Sequence, residues 1–381
     1  MKILLISVFS NHMFNWILQL KNAGYDIHWI DVNDANTYVQ RIDFVSQTVK
    51  WKRKYEYPGR YWIKNNFPKI DNLIEKYNSR SFLKIFNEKL EEWQPDVVQS
   101  FEMNSACVTI LEIMKQNPKI KWIYSAWGND VFYYQRDPKK LENIKKVYKR
   151  LDFMFADCTR DFLLAKKYGF EGKYLGTYPT GGGYELEYSN QFLQNFDTRK
   201  VILIKGYEHK FGRAINIMKA VTILEDELRN YEIVIFAATS KLHEYLENPE
   251  FQNMENLEVY GKIGRDEVLK LMGRSLIYVG NSISDGTPNT LLETIIMECF
   301  PIQSDPGGAT AEIIHHGKNG FLIKDPENPQ EIADHIRAAL QNPSMVKKGI
   351  EHNTLQIKPR LGREYLRQEA LKKYEIVEES L

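Results

Sequence analysis

Short apolar runs alternate with helix-spaced segments twice over, once on each side of a glycine triplet, and nothing else in the sequence limits the fold as tightly. In the first half KILLISV (2–8) reads as a strand, NWILQLKNAG (15–24) as a helix closed by Gly24, and YDIHWIDV (25–32) as a strand again. PDVVQSF (95–101) follows the helical EKLEEWQ, and IKWIYSAW (120–127) and DFMFAD (152–157) continue the series. The second half repeats it with KVILIKG (200–206), YEIVIFAA (231–238), LEVYG (257–261), SLIYVGN (275–281) and FPIQSD (300–305), helix-spaced segments lying between most of them. This order predicts an α/β chain of two Rossmann-like, doubly wound domains with parallel sheets. Gly181, Gly182 and Gly183 cannot sit inside an element without cost, so YPTGGGYELEYSN (178–190) is the expected linker. It divides 1–185 from 186–355, and the terminal helix, 356–381, is expected to pack back on the first domain. A chain of 381 residues exceeds what one core usually supports, which favours the same division. The domains should face each other across a cleft lined by the carboxyl ends of their strands, where ligands of open parallel sheets bind.

Charge and cysteine content remove other classes. Lys plus Arg number 51 against 50 Asp plus Glu, so no nucleic-acid partner is expected. Cys107, Cys158 and Cys299 are scattered without CxxC spacing, which fits reduced, buried thiols and no zinc site. MKILLISVFS lacks the length and character of a signal peptide and no run is long enough to cross a bilayer, so a cytoplasmic location is expected.

The chemistry concentrates in SDGTPNTLLE (284–293). Asp285 precedes a turn made by Gly286, Thr287 and Pro288, and Glu293 lies two turns into a helix opened by Asn289, Thr290 and Leu291. Amides at a helix start attract phosphate, while flanking carboxylates suit neutral hydroxyls. That pairing fits a nucleotide sugar; the alternative is an N-cap aspartate and a solvated glutamate.

The longer run SISDGTPNTLLETIIMECFPIQSDPGGATAEIIHHGKNGFLI (282–323) resembles the donor-binding signature of the retaining glycosyltransferases of family four, which have the GT-B fold. Its parts are an acid, seven residues, a Glu, a Pro-led strand, a Gly-Gly turn, an acidic helix start and an NG turn before a buried strand. The first acid is Asp285 where the family has Glu. The resemblance covers roughly residues 200–345 and implies a donor domain at 186–355 and an acceptor-side domain at 1–185. It implies that Glu293 holds the ribose hydroxyls, that Asp285 holds hydroxyls of the transferred sugar, that the Thr290 and Leu291 amides meet the diphosphate, and that the base lies by Gly261 and Ile263 of GKIGR.

The family places Arg and Lys after the first strand of this domain. Here KGYEHKFGR puts Tyr207 and Gly212 at those positions, so Lys205 and Arg213, beside Gly206, are the expected diphosphate clamp, with Lys210 in reserve. With cations doing the charge work, no metal and no cofactor is expected beyond the nucleotide-sugar substrate.

The first domain departs from the family. FSNHMFN replaces a Gly-rich loop and leaves His12 there, Trp127 stands where a His is frequent, and Glu102 is the titratable group of QSFEMN. Gly128, Asn129 and Asp130 keep the family's Gly-any-Asp loop, so Asp130 either orients acceptor or donor sugar or caps its turn. Glu102 is a candidate base, although in this fold the leaving phosphate is usually thought to take the nucleophile's proton. His12 and His209 are more often surface or packed histidines than catalytic ones.

VKWKRKYEYPGRYWIKNNFPK (49–69) interleaves basic and aromatic residues, a pattern for anionic headgroups, for a lipid-linked diphosphate, or for a solvated insert. The expected function is thus a retaining, metal-independent hexosyltransferase that moves a sugar, UDP-linked, to a glycan or lipid-linked acceptor hydroxyl in surface polysaccharide or glycolipid synthesis, with peripheral contact at the inner membrane face through 49–69. A UDP-sugar 2-epimerase of the same fold and an inactive nucleotide-sugar- or glycan-binding subunit stand beside it.

Overall fold

The computed structural model describes residues 1–381. The chain forms two compact units. Unit 1 comprises Met1–Ala156, Phe162–Gly182 and Glu369–Leu381; unit 2 comprises Asp157–Asp161 and Gly183–Gln368.

Unit 1 holds seven parallel strands: β1 Lys2–Ser7, β2 Asp26–Asp31, β3 Ser46–Thr48, β4 Val97–Phe101, β5 Lys121–Ser125, β6 Phe153–Ala156 and β7 Lys173–Thr177, in the order β3-β2-β1-β4-β5-β6-β7. Alternate residues of each strand feed opposite faces. Leu4 and Ile6 join Val98, Trp122 and Met154 in one core, while Ile3 and Leu5 join Val97, Ile123 and Phe153 in the other. The end of the terminal helix belongs to the second core. Buried Tyr374 accepts from Trp16 Nε1 at 2.8 Å and donates to Gln99 at 2.6 Å.

Unit 2 repeats the plan with β8 Val201–Lys205, β9 Glu232–Phe236, β10 Leu257–Val259, β11 Ser275–Gly280, β12 Phe300–Ser304 and β13 Phe321–Ile323, all parallel, in the order β10-β9-β8-β11-β12-β13. Ile202, Ile204, Ile233 and Ile235 fill one face, and Val201, Leu203, Val234 and Phe236 the other. The strand order reverses between β8 and β11, so the loops after Lys205 and Gly280 flank the switch point, where doubly wound sheets bind ligands.

The glycine triplet has a steric cause. Gly182 and Gly183 have φ of 65° and 88°, and a Cβ would meet the Asn15 carbonyl oxygen or the Arg363 Cα at 2.7 Å.

Candidate functional site

The charges of unit 2 gather at its switch point. Lys205 ends β8, and its ammonium lies 4.4 Å from the Tyr207 ring centre. Burial pushes its pKa down, and the fields of Asp285 and Glu293 pull it back up. Glu293, on the helix Asn289–Ile296, is raised by the same desolvation, opposed by Arg265 and Lys205. Arg265 Nε stands 3.7 Å from the Glu293 carboxylate. Asp285 Oδ1 accepts from the Gly286 amide at 2.9 Å. Gly206 lets the β8 loop pass close to its neighbour, since a Cβ there would lie 2.7 Å from Ala238 Cα.

Two helices start at this point, and only one is open to an anion. The helix Ala214–Ile223 is capped by Glu208, which accepts from the Ile215 amide at 3.0 Å. The helix Asn289–Ile296 has Pro288 at its N-cap and no side-chain cap. Its Leu291 and Leu292 amides turn to the Pro288 carbonyl, which leaves the Thr290 amide to meet an anion. Tyr184 donates to Asn289 Oδ1 at 2.9 Å and steadies that start. Ile263 packs half-buried against the core beside it, and the Gly261 carbonyl takes the Ala237 amide at 3.0 Å.

Arg213 is placed differently from its expected role in a clamp. Its guanidinium pairs with Glu327 and donates to the Gly212 and His209 carbonyls at 2.8 and 3.2 Å, so its donors serve the loop itself. Lys210 lies 5.1 Å from the Phe211 ring centre. His209 Nδ1 accepts from the Phe211 amide at 3.1 Å, a local turn contact.

Unit 1 also spends its acids locally. Asp130 is 3% exposed and accepts from Met103 N–H at 2.9 Å, Tyr124 O–H at 2.6 Å and Trp127 N–H at 3.3 Å. It joins the loops after β4 and β5, which is the capping alternative left open by the sequence. Glu102, at φ 75°, accepts from the amides of Asn104 and Ser105, from Asn104 Nδ2 and from the Ser105 hydroxyl. The lone pairs of this carboxylate are taken up within its own turn. Gly128, at φ 74°, permits the turn that Asn129 closes with an N–H bond to Trp127 O at 2.8 Å. His12, in the first turn of Asn11–Leu18, has its ring centre 6.4 Å from that of Trp127.

Residues 188–355 match the family model of glycosyl transferases group 1. The chain carries a group 1 glycosyl transferase domain. Among solved structures, sucrose-phosphate synthase from Thermosynechococcus elongatus aligns over 100% of both chains at 13% identity and TM-score 0.74. The UDP-glucose complex of Anabaena HepE aligns over 100% of both at 12% identity and TM-score 0.71. The α,α-trehalose 6-phosphate synthase from Burkholderia multivorans aligns over 100% of this chain and 97% of its own at 12% identity and TM-score 0.71. No curated protein matches the sequence. The fold is GT-B, two Rossmann-like units of the kind the sequence implied, and the glycosyltransferase resemblance holds.

Unit 2 includes groups that the sequence pattern did not reveal. Arg265 and Tyr184 are within the segments singled out, but nothing in the spacing pairs Arg265 with Glu293. Asp157 and Arg160 reach the Asp285 loop from a segment preceding the linker.

The basic-aromatic segment divides in two. Trp51 is buried and donates through Nε1 to the Asp31 carbonyl at 2.8 Å, Arg53 pairs with Glu75 at 2.9 Å, and Lys54 Nζ donates to Tyr77 O at 2.8 Å. These residues knit unit 1 together. Beyond them the helices Arg60–Asn66 and Pro68–Asn78 display Tyr61 and Trp62, 71% and 62% exposed, with Phe67, Ile70 and Leu73 also exposed. No helix is long and apolar enough to cross a membrane.

Proposed function

We propose that this glycosyltransferase moves a sugar from a UDP-linked donor to a hydroxyl on a glycan or lipid-linked acceptor, with retention and without a metal. The observation that carries this reading is the uncapped start of the helix Asn289–Ile296 with Lys205, Asp285 and Glu293 around it. The Thr290 amide and the Lys205 ammonium take the diphosphate, Glu293 accepts from the ribose hydroxyls, and Asp285 accepts from hydroxyls of the sugar. The bond between the anomeric carbon and the diphosphate breaks, a bond to the acceptor oxygen forms, and the leaving phosphate takes the acceptor's proton. Lys205 offsets the charge growing on that phosphate. The local engagement of Glu102 and Asp130 favours the phosphate as base. A UDP donor is also supported by the UDP-glucose held by HepE at the same fold.

The exposed helices Arg60–Asn66 and Pro68–Asn78 support a peripheral contact with an anionic membrane, which suits a lipid-linked acceptor. Incubation with a panel of nucleotide sugars tests the whole reading. Acceptor-stimulated release of UDP is expected. A changed or released sugar without acceptor would mark an epimerase, and neither result would mark a binding subunit.

A further inference from the structure

Asp157–Asp161 follows β6 in the chain but belongs to unit 2, where it grips the loop that carries Asp285. Asp157 Oδ2 accepts the Thr287 amide at 2.7 Å, and its carbonyl accepts the Thr287 hydroxyl at 2.9 Å. The Thr159 and Arg160 amides donate to the Glu312 carboxylate at 2.7 and 2.9 Å. Arg160 is 8% exposed. Its Nη1 donates to the Asp285 carbonyl at 2.8 Å and to the Pro306 carbonyl at 2.6 Å, while Nε and Nη2 hold Asp161 Oδ1 at 3.1 and 2.9 Å.

One planar fork therefore ties the loop after β11 to the loop after β12 and brings its own counter-ion. Burying an ion pair costs desolvation that its mutual attraction only offsets, so it adds little stability over a packed apolar pair. What the rigid guanidinium supplies is geometry: a fixed place for the Asp285 backbone. Glu293 is held separately, on the helix Asn289–Ile296, so the fork governs one carboxylate and not the other.

We propose that Arg160, with Asp157, is a positioning residue for the transferred sugar: it fixes the Asp285–Thr287 backbone so that the Asp285 carboxylate meets the sugar hydroxyls, while the nucleotide is held independently. This rests on the donor-site reading above. The test titrates wild type, Arg160→Lys, Arg160→Met and Thr287→Val with UDP, and with whichever of UDP-glucose, UDP-galactose, UDP-N-acetylglucosamine and GDP-mannose wild type binds; turnover is measured beside binding. UDP affinity should stay within about twofold of wild type, while turnover falls roughly ten- to a hundredfold, as sub-ångström to ångström misplacement of a reacting group does. Lysine should not rescue, because it keeps the charge and loses the fork. Should Arg160→Met fail to fold, Arg160→Lys and Thr287→Val must still show the split. Parallel loss of UDP affinity and turnover would make Arg160 merely structural, and unchanged turnover would remove any role; either overturns the proposal. Wild type that binds UDP but none of the sugars any better overturns it too, whereas wild type that binds no nucleotide shows instead that the donor-site reading has failed.

Discussion

At the strand ends of unit 1, Glu102 is taken up by donors of its own turn and Asp130 by donors from β5 and the loops after β4 and β5, whereas at the switch point of unit 2, Lys205 lies in the fields of both Asp285 and Glu293. The two sheets share an order of strands, so topology does not cause the difference. It lies in how many donors the neighbouring segments give each carboxylate. A carboxylate given two or three donors from its own unit orders backbone; Glu293, beside Arg265 and the desolvated Lys205, keeps capacity for a ligand. The same rule separates the two helix starts of unit 2, one closed by Glu208 and the other left without a side-chain cap by Pro288.

The contrast breaks most directly at Lys205. Lys205→Ala should cost about 2–4 kcal/mol of transition-state stabilisation, a fall in kcat of roughly thirtyfold to a thousandfold. Arg213→Ala, whose side chain serves Glu327 and its own loop, should cost less than about tenfold. Chelators should leave activity intact; activity lost to a chelator and restored by manganese would assign the charge work to a metal.

Next in size is stability. Asp130→Ala should lower unfolding free energy by about 2–3 kcal/mol, because it strands buried donors. Asp285→Ala, which removes the acceptor of the Gly286 amide, should cost less, about 1 kcal/mol, while lowering turnover. Denaturant melts of both variants check this, and equal destabilisation would erase the distinction between the units.

Glu293 sharpens the contrast through pH. Its folded pKa is raised above the ordinary 4.5, so the folded state binds the proton more tightly than the unfolded chain does. Ionisation therefore removes stability as pH rises through and above that value. Glu293→Gln should make the ligand-free protein more stable at neutral pH, with the gain vanishing below about pH 4.5. Melting curves across pH measure it, and a gain confined to low pH would contradict the sign.

The smallest effect per residue is expected at the surface of unit 1. The protein should co-sediment with anionic but not zwitterionic liposomes at low salt, with about 1 kcal/mol from each basic residue near the surface. Because Arg53 and Lys54 hold unit 1 together, Arg60→Ser, Lys64→Ser and Lys69→Ser form the cleaner triple variant. It should lose binding without losing thermal stability. Wild type that ignores anionic liposomes would leave a soluble acceptor.

Much of this was legible in the sequence. Runs such as KVILIKG and SLIYVGN fall on β8 and β11 because a strand buried on both faces must be apolar throughout. β3 and β7 escaped notice because SQT is short and polar and KYLGT carries a glycine at φ 130°. The paired acids were visible because their spacing is local to one turn and one helix. Arg213 and Arg160 each also reach a partner more than a hundred residues away, Glu327 and Asp285, where no periodicity connects them.

The central claim is that the open helix start of unit 2 binds the donor, with Glu293 on the nucleotide and Asp285 on the sugar. Calorimetric titration of UDP into wild type, Glu293→Ala and Asp285→Ala tests it. Loss of a charge-assisted bond pair should weaken UDP binding by Glu293→Ala roughly ten- to a hundredfold, and Asp285→Ala should stay within about twofold of wild type. Equal loss in both variants, or full UDP affinity in Glu293→Ala, would contradict it.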